Sequence, residues 1–193
     1  ADKYILGQIL SLKEVAIYSL GFFLSVGTGR VLISALLKSN SILLMKSLQD
    51  EDFKTFKYIL RQTELLLVCL CLVAIFINFV WLDTIIVNIF GERFNETIPF
   101  LIILFIAVLF EGLAQIISLV FVQKRKLYIP VLNAGILLFL AIALNYAFVP
   151  IFSISGAVLT FFLCCLSSLV VIYYQAKQLV PAVPFPIWLL VLG

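Results

Sequence analysis

The chain has 193 residues, 64% of them hydrophobic and 12% charged, with a formal net charge of +3 and a mean hydropathy of +1.24. Soluble domains carry about a quarter charged residues, so this composition excludes an ordinary soluble enzyme. The basic excess is then first a matter of membrane sidedness, not of nucleic-acid binding.

A hydrocarbon core of about 30 Å takes about 20 apolar residues in helical form. Residues 1–10 read as the end of one apolar helix. The length criterion then predicts transmembrane helices over about 15–37, 60–82, 98–122, 127–149 and 154–176, and the start of a further apolar segment at 184–193. The runs are apolar all round, unlike helices of a soluble bundle, and too long for membrane β-strands of about 10 residues. The expected fold class is all-α, a polytopic transmembrane helical bundle. No cleavable signal peptide is visible. With apolar stubs at both ends, residues 1–193 read as a partial membrane domain, a piece of a larger transporter-sized protein.

The connectors alternate in charge. Lys38, Lys46, Lys54, Lys57 and Arg61 cluster between the first two full spans, Lys124, Arg125 and Lys126 between the third and fourth, and Lys177 follows the fifth. The other connectors hold Lys13, then Arg93, then no base. Five consecutive spans produce this alternation when basic loops stay in the cytoplasm. Within the first basic connector, Asp50 is expected to cap a helix that carries Phe53, Phe56 and Leu60 into the second span. On the other side, Asp83 and Gly91 are expected to bracket a short helix lying on the membrane surface.

Inside the spans, polar residues are costly and therefore informative. Arg30 lies about 18 Å along the helix from Tyr18, close to mid-bilayer. An arginine there costs roughly 2.5–3.5 kcal/mol on insertion scales. Ser34 and Ser41 extend its face, and Gly21, Ser25 and Gly29 form a small-residue row suited to close packing. Glu111 is the counterpart in the third span, with Gln115 and Ser118 on its face. Asp2 and Lys3 are expected within the membrane at the amino end. The fourth span carries Asn133 and Asn145; the fifth carries a row of Gly156, Thr160, Cys164 and Ser168. Two readings of Arg30 and Glu111 stand side by side. In one, Arg30 is a cavity cation for an anionic substrate and Glu111 a protonatable coupling group. In the other, the two simply pair with each other or with groups elsewhere in the protein.

Enzymatic chemistry finds little support. Without histidine, Ser-His-Asp and Cys-His catalysis are excluded within this sequence. Cys69, Cys71, Cys164 and Cys165 lack metal-ligand spacing. Asp50-Glu51-Asp52 reads better as a solvated helix start than as a Mg²⁺ site, having no second acidic cluster on its side. No metal and no cofactor is expected.

Several short stretches share an order and a spacing with a known family. They are Asp2-Lys3-Tyr4-Ile5-Leu6-Gly7, Val15-Ala16-Ile17-Tyr18-Ser19, Phe90-Gly91-Glu92-Arg93-Phe94, and Asn145-Tyr146-Ala147-Phe148-Val149-Pro150 followed by Ile154-Ser155-Gly156-Ala157. Together they resemble the carboxy-terminal half of bacterial polysaccharide or O-antigen flippases, of the multidrug/oligosaccharidyl-lipid/polysaccharide exporter superfamily. The family's patterns are Asp-Arg-x-x-Leu-Gly, Val-Gly-Ile-Tyr-Ser, Phe-Gly-Glu-x-Tyr, and Asn-x-x-Leu-Ile-Pro leading to Ile-x-Gly-Ala. This chain departs from them with Lys3 for Arg, Ala16 for Gly, and Ser153 where the family usually has Gly. Lysine offers a point charge where arginine offers a fork, so Lys3 weakens any bidentate anion contact there.

The resemblance implies one lobe of a two-lobed exporter in the bacterial cytoplasmic (inner) membrane, with the missing amino-terminal lobe of the same protein as its partner. The implied cargo is an undecaprenyl-diphosphate-linked oligosaccharide moved for surface polysaccharide or O-antigen assembly. Further expected partners are membrane lipids and polysaccharide polymerase machinery, with no nucleic acid. On this reading the substrate-binding candidates are Arg30, Ser34, Lys38, Asp2 and Lys3, and the ion-coupling candidates are Glu111 and Gln115. A cation-coupled multidrug exporter of the same superfamily, a membrane-embedded glycan transferase or polymerase, and a structural scaffold are the alternatives.

Overall fold

The computed structural model describes residues 2–181, 183 and 184, and every regular element among them is helical. Helix α1 is Asp2–Ile9 and α2 is Leu12–Phe22. Between them Ser11 and Glu14 form a capping box. Ser11 Oγ accepts from the Glu14 N–H at 3.3 Å, and the Glu14 carboxylate accepts from the Ser11 N–H at 2.9 Å. Two donors that the helix start would leave unpaired are thereby satisfied.

One wide π turn, Phe23–Gly27, joins α2 to α3, Thr28–Gln49. Leu12–Gln49 is thus a continuous helical unit of 38 residues, longer at both ends than the expected 15–37. Hydroxyls compete for the carbonyls around this turn. Ser25 Oγ donates to the Gly21 carbonyl at 2.6 Å, and Thr28 Oγ1 donates to that of Leu24. Such back-bonding loosens the regular ladder and suits a turn that holds one extra residue.

Helix α4, Phe53–Phe90, starts two residues later than an Asp50 cap would place it. Asp50 instead ends α3, and Glu51 reverses the chain with a φ of 56°. Asp52 then caps, its carboxylate accepting from the Thr55 N–H at 3.1 Å and from the Thr55 hydroxyl at 2.6 Å. The Thr55 hydroxyl and N–H together hold the Asp52 carboxyl below its ordinary range. The separate surface helix expected between Asp83 and Gly91 is also corrected. Helix α4 runs through position 83 without a break, because a single aspartate lowers helix propensity by less than about 1 kcal/mol. Gly91, at φ 91°, does end it.

A 3₁₀ segment, Glu92–Thr97, leads into α5, Ile98–Gln123, close to the expected 98–122. Pro99 sits in the first turn of α5, where its missing N–H costs no helical bond. The last element, α6, covers Tyr128–Leu179 but breaks at Ser153, whose φ of 51° and ψ of −129° are not helical. The two halves fold back on each other. Asn133 Nδ2 donates to Ser168 Oγ at 3.1 Å across them, and a Cβ on Gly156 would lie 2.5 Å from the Phe148 carbonyl oxygen. The corner of this hairpin falls in the connector expected between 149 and 154.

Among the described residues, four helical units are long and apolar enough to cross a membrane, and the last of these is the hairpin. Helix α5 is the central one: 61% of its most apolar window is buried, against 22–39% for the others. It carries Leu104, Ala107, Phe110, Leu113, Ile117 and Phe121 into the core. Large apolar side chains such as Phe23, Val31, Phe76, Phe139 and Ile151 stay exposed on the outer helices, the surface a hydrocarbon solvent would cover. The further apolar segment expected at 184–193 lies outside the described residues except for Pro184.

Candidate functional site

Glycines bring α3 against α5. A Cβ on Gly29 would run into the Val108 side chain, and one on Gly112 would lie 2.9 Å from Ile33 and from Leu67. Absence of side chains at these crossing points allows close helix approach. The next residue on α3 is Arg30, and the preceding one on α5 is Glu111, so the approach delivers one to the other. Arg30 Nε and Nη2 each lie 3.0 Å from Glu111 Oε1, and Nη2 lies 3.2 Å from Oε2. Two donors of one guanidinium thus engage one carboxylate, an arrangement that favours arginine over lysine.

The pair is not sealed in. The Arg30 side chain is 51% exposed and that of Glu111 21%. Gln115, one turn along α5, donates to Glu111 Oε1 at 3.3 Å, which orients the carboxylate from the other side. Ser118 Oγ turns back to the Gln115 carbonyl at 2.6 Å.

Beside the pair lies a cavity of about 310 Å³ between α3, α5 and both halves of α6. This is at the small end of the range for ligand pockets, about 300–1,000 Å³. Arg30, Glu111, Gln115 and Ser118 line one wall; Asn133, Ala134, Phe161, Cys164 and Ser168 line the facing wall. A cation, an anion and several neutral hydrogen-bonding groups therefore converge in a space otherwise walled by apolar side chains. The chemistry fits recognition of a polar, anionic group by direct and charge-assisted hydrogen bonds. Among the described residues there is no cluster of three or more His, Cys, Asp or Glu side chains suited to a metal ion.

The sequence candidates separate on this geometry. Arg30, Glu111 and Gln115 come together at the cavity. Ser34 does not line it; its hydroxyl bonds to the Arg30 carbonyl at 2.6 Å, within its own helix. Lys38 is exposed two turns away and is likewise not part of the wall. Asp2 and Lys3 lie on α1, and their side chains fall outside the described residues. Ser168 reaches the wall from the small-residue row of the last span, and Asn133 from the span before it. Glu64 was not among the sequence candidates. It is the one Asp, Glu, Lys or Arg side chain among the described buried residues, and its signal was an acid inside the second predicted span.

Comparison of the chain with protein-family models, with curated proteins and with solved structures finds no match in any of the three. The structure itself defines an all-α helical bundle with helices suited to a membrane, built around a central helix that carries a charged pair at the edge of a cavity of mixed polar and apolar lining.

Proposed function

We propose that this chain is the carboxy-terminal lobe of a flippase in the bacterial cytoplasmic membrane. It crosses the membrane several times and moves an undecaprenyl-diphosphate-linked oligosaccharide toward the outer leaflet. The observation that carries the reading is the half-exposed Arg30 guanidinium lining, with several hydrogen-bonding groups, a cavity inside an apolar bundle. A lipid-linked glycan must pass its sugars and diphosphate through hydrocarbon while its tail stays in lipid. A cationic, hydrogen-bonding cavity between two lobes that opens to each side in turn meets that need. The partner lobe belongs to the same protein, and the polysaccharide polymerase machinery receives the product. The lobe binds and moves its cargo without making or breaking a covalent bond.

In this reading the diphosphate competes with Glu111 for Arg30, and Glu111 is left free to take part in ion coupling. Replacing Arg30 with Ala in the complete protein removes a charge-assisted contact of roughly 1.5–3 kcal/mol, a loss of about tenfold or more in export. Surface glycan output at matched protein levels reads it, and output at the normal rate contradicts the substrate role. The direct bond between Arg30 and Glu111 favours a second reading, in which the pair is purely structural. Exchanging the two charges (Arg30→Glu with Glu111→Arg) separates the two. A structural pair recovers both folding and export on exchange, whereas a substrate cation recovers folding alone.

A further inference from the structure

Glu64 stands apart from this cavity and is 6% exposed. Leu60 and Leu67, four positions before it and three after, share its side of α4 and are themselves buried at 1% and 4%. That face packs toward α3 and α5, since Leu67 lies against the position of Gly112 on α5 and Thr63 bonds to Asn40 on α3. Oε1 of Glu64 is buried and finds no hydrogen-bond partner among the described residues. The polar group beside it is already committed. Thr63 Oγ1 accepts from Asn40 Nδ2 at 2.9 Å and donates to the Ile59 carbonyl at 2.8 Å.

Among the described residues no counter-charge is bonded to Glu64 either. The charged residues of α3 are Arg30, Lys38 and Lys46, and that of α5 is Glu111. Arg30 and Glu111 hold each other. Neither lysine forms an ion pair with Glu64 among the described residues, nor does the exposed Arg61, which sits three positions earlier on α4. Burial strips an ionised carboxylate here of its hydration, and the charge of Arg61 offsets that only in part, so a buried acid in that position carries a proton instead.

We propose that Glu64 is a proton-binding site at the junction of α3, α4 and α5. The closed junction holds the carboxylic acid form. Release of its proton to bulk water accompanies separation of α4 from its neighbours, because only a hydrated carboxylate is stable there. Such a group links helix movement to proton concentration. The assignment does not depend on what the Arg30 cavity binds.

The test uses the complete protein reconstituted in lipid nanodiscs and examined by infrared difference spectroscopy. At a pH of about 6, well above the ordinary glutamate range, the wild type is expected to show the carbonyl stretch of a buried, protonated carboxylic acid. Glu64→Gln loses that band, and Glu64→Asp retains a shifted one, which decides the matter even if the glutamine variant does not fold. The wild-type thermal midpoint is expected to fall as pH rises from mildly acidic through neutral, more steeply than that of Glu64→Gln. A band absent from the wild type, or one unmoved by both substitutions, overturns the proposal. So do identical pH profiles for wild type and Glu64→Gln.

Discussion

Arg30 and Glu111 lie 81 positions apart and meet through two hydrogen-bonding edges. Each was legible alone, because an isolated charge in an apolar run has no other explanation than a partner, a cavity or a cost. Their contact was less legible, since sequence gives depth along a helix but not which way each helix faces. Glu64 was hidden for a related reason. It follows Arg61 and Gln62 at the edge of its span, where an acid reads as part of the membrane interface, and only the packing of α4 reveals its burial. Ser153 shows the converse, a departure from a family pattern that acquires a physical meaning. Its φ of 51° lies where a side chain is strained, and glycine adopts that backbone freely. Replacing Ser153 with Gly should stabilise the hairpin by about 1 kcal/mol. A raised thermal midpoint in detergent reads the effect, and a lowered one shows that the serine hydroxyl matters more than the strain.

At the scale of elements, helix existence was clear and helix ends were not. Apolar length located all the long helices, and Gly91 and the 149–154 connector marked a true end and a true corner. The ends of α3 and α4 were misjudged because Glu51 adopts a left-handed backbone that its residue type does not advertise. The Ser11-Glu14 capping box, by contrast, is written in the residues at 11–14. Close crossing of α3 and α5 was foreshadowed by Gly29 on the small-residue row. Its complement, Gly112, sits beside Glu111 and draws less notice. Gly112→Leu must force Ile33 and Leu67 aside, so it should destabilise the bundle by at least the roughly 1–3 kcal/mol typical of overpacking. It should also pull Arg30 away from Glu111. Loss of thermal stability together with greater alkylation of a cysteine placed at Ile33 checks both effects. Normal stability contradicts the tight crossing.

For the molecule as a whole, the base-rich and base-poor turns alternate along the chain, and one contact ties two base-poor turns together. Lys13, in the first turn of α2, bridges to Glu96 in the 3₁₀ segment at 2.9 Å. The Thr97 hydroxyl donates to the Ile17 carbonyl nearby. These turns therefore share one end of the bundle, and the lone lysine there is matched by an acid. That is consistent with the sidedness read from the basic loops. Composition fixed the solvent of this fold, and the polar exceptions located its cavity. The cargo remains a proposal resting on Arg30 and a family resemblance.

Translocation by the complete protein in sealed vesicles tests that proposal most directly. An undecaprenyl-diphosphate-linked oligosaccharide is supplied in one leaflet, and its glycan is measured on the other side for wild type and Arg30→Ala at equal reconstitution. The account predicts transfer by the wild type and a loss of about tenfold or more in the variant. Equal transfer by both proteins, or none above empty vesicles with correctly folded wild type, contradicts it.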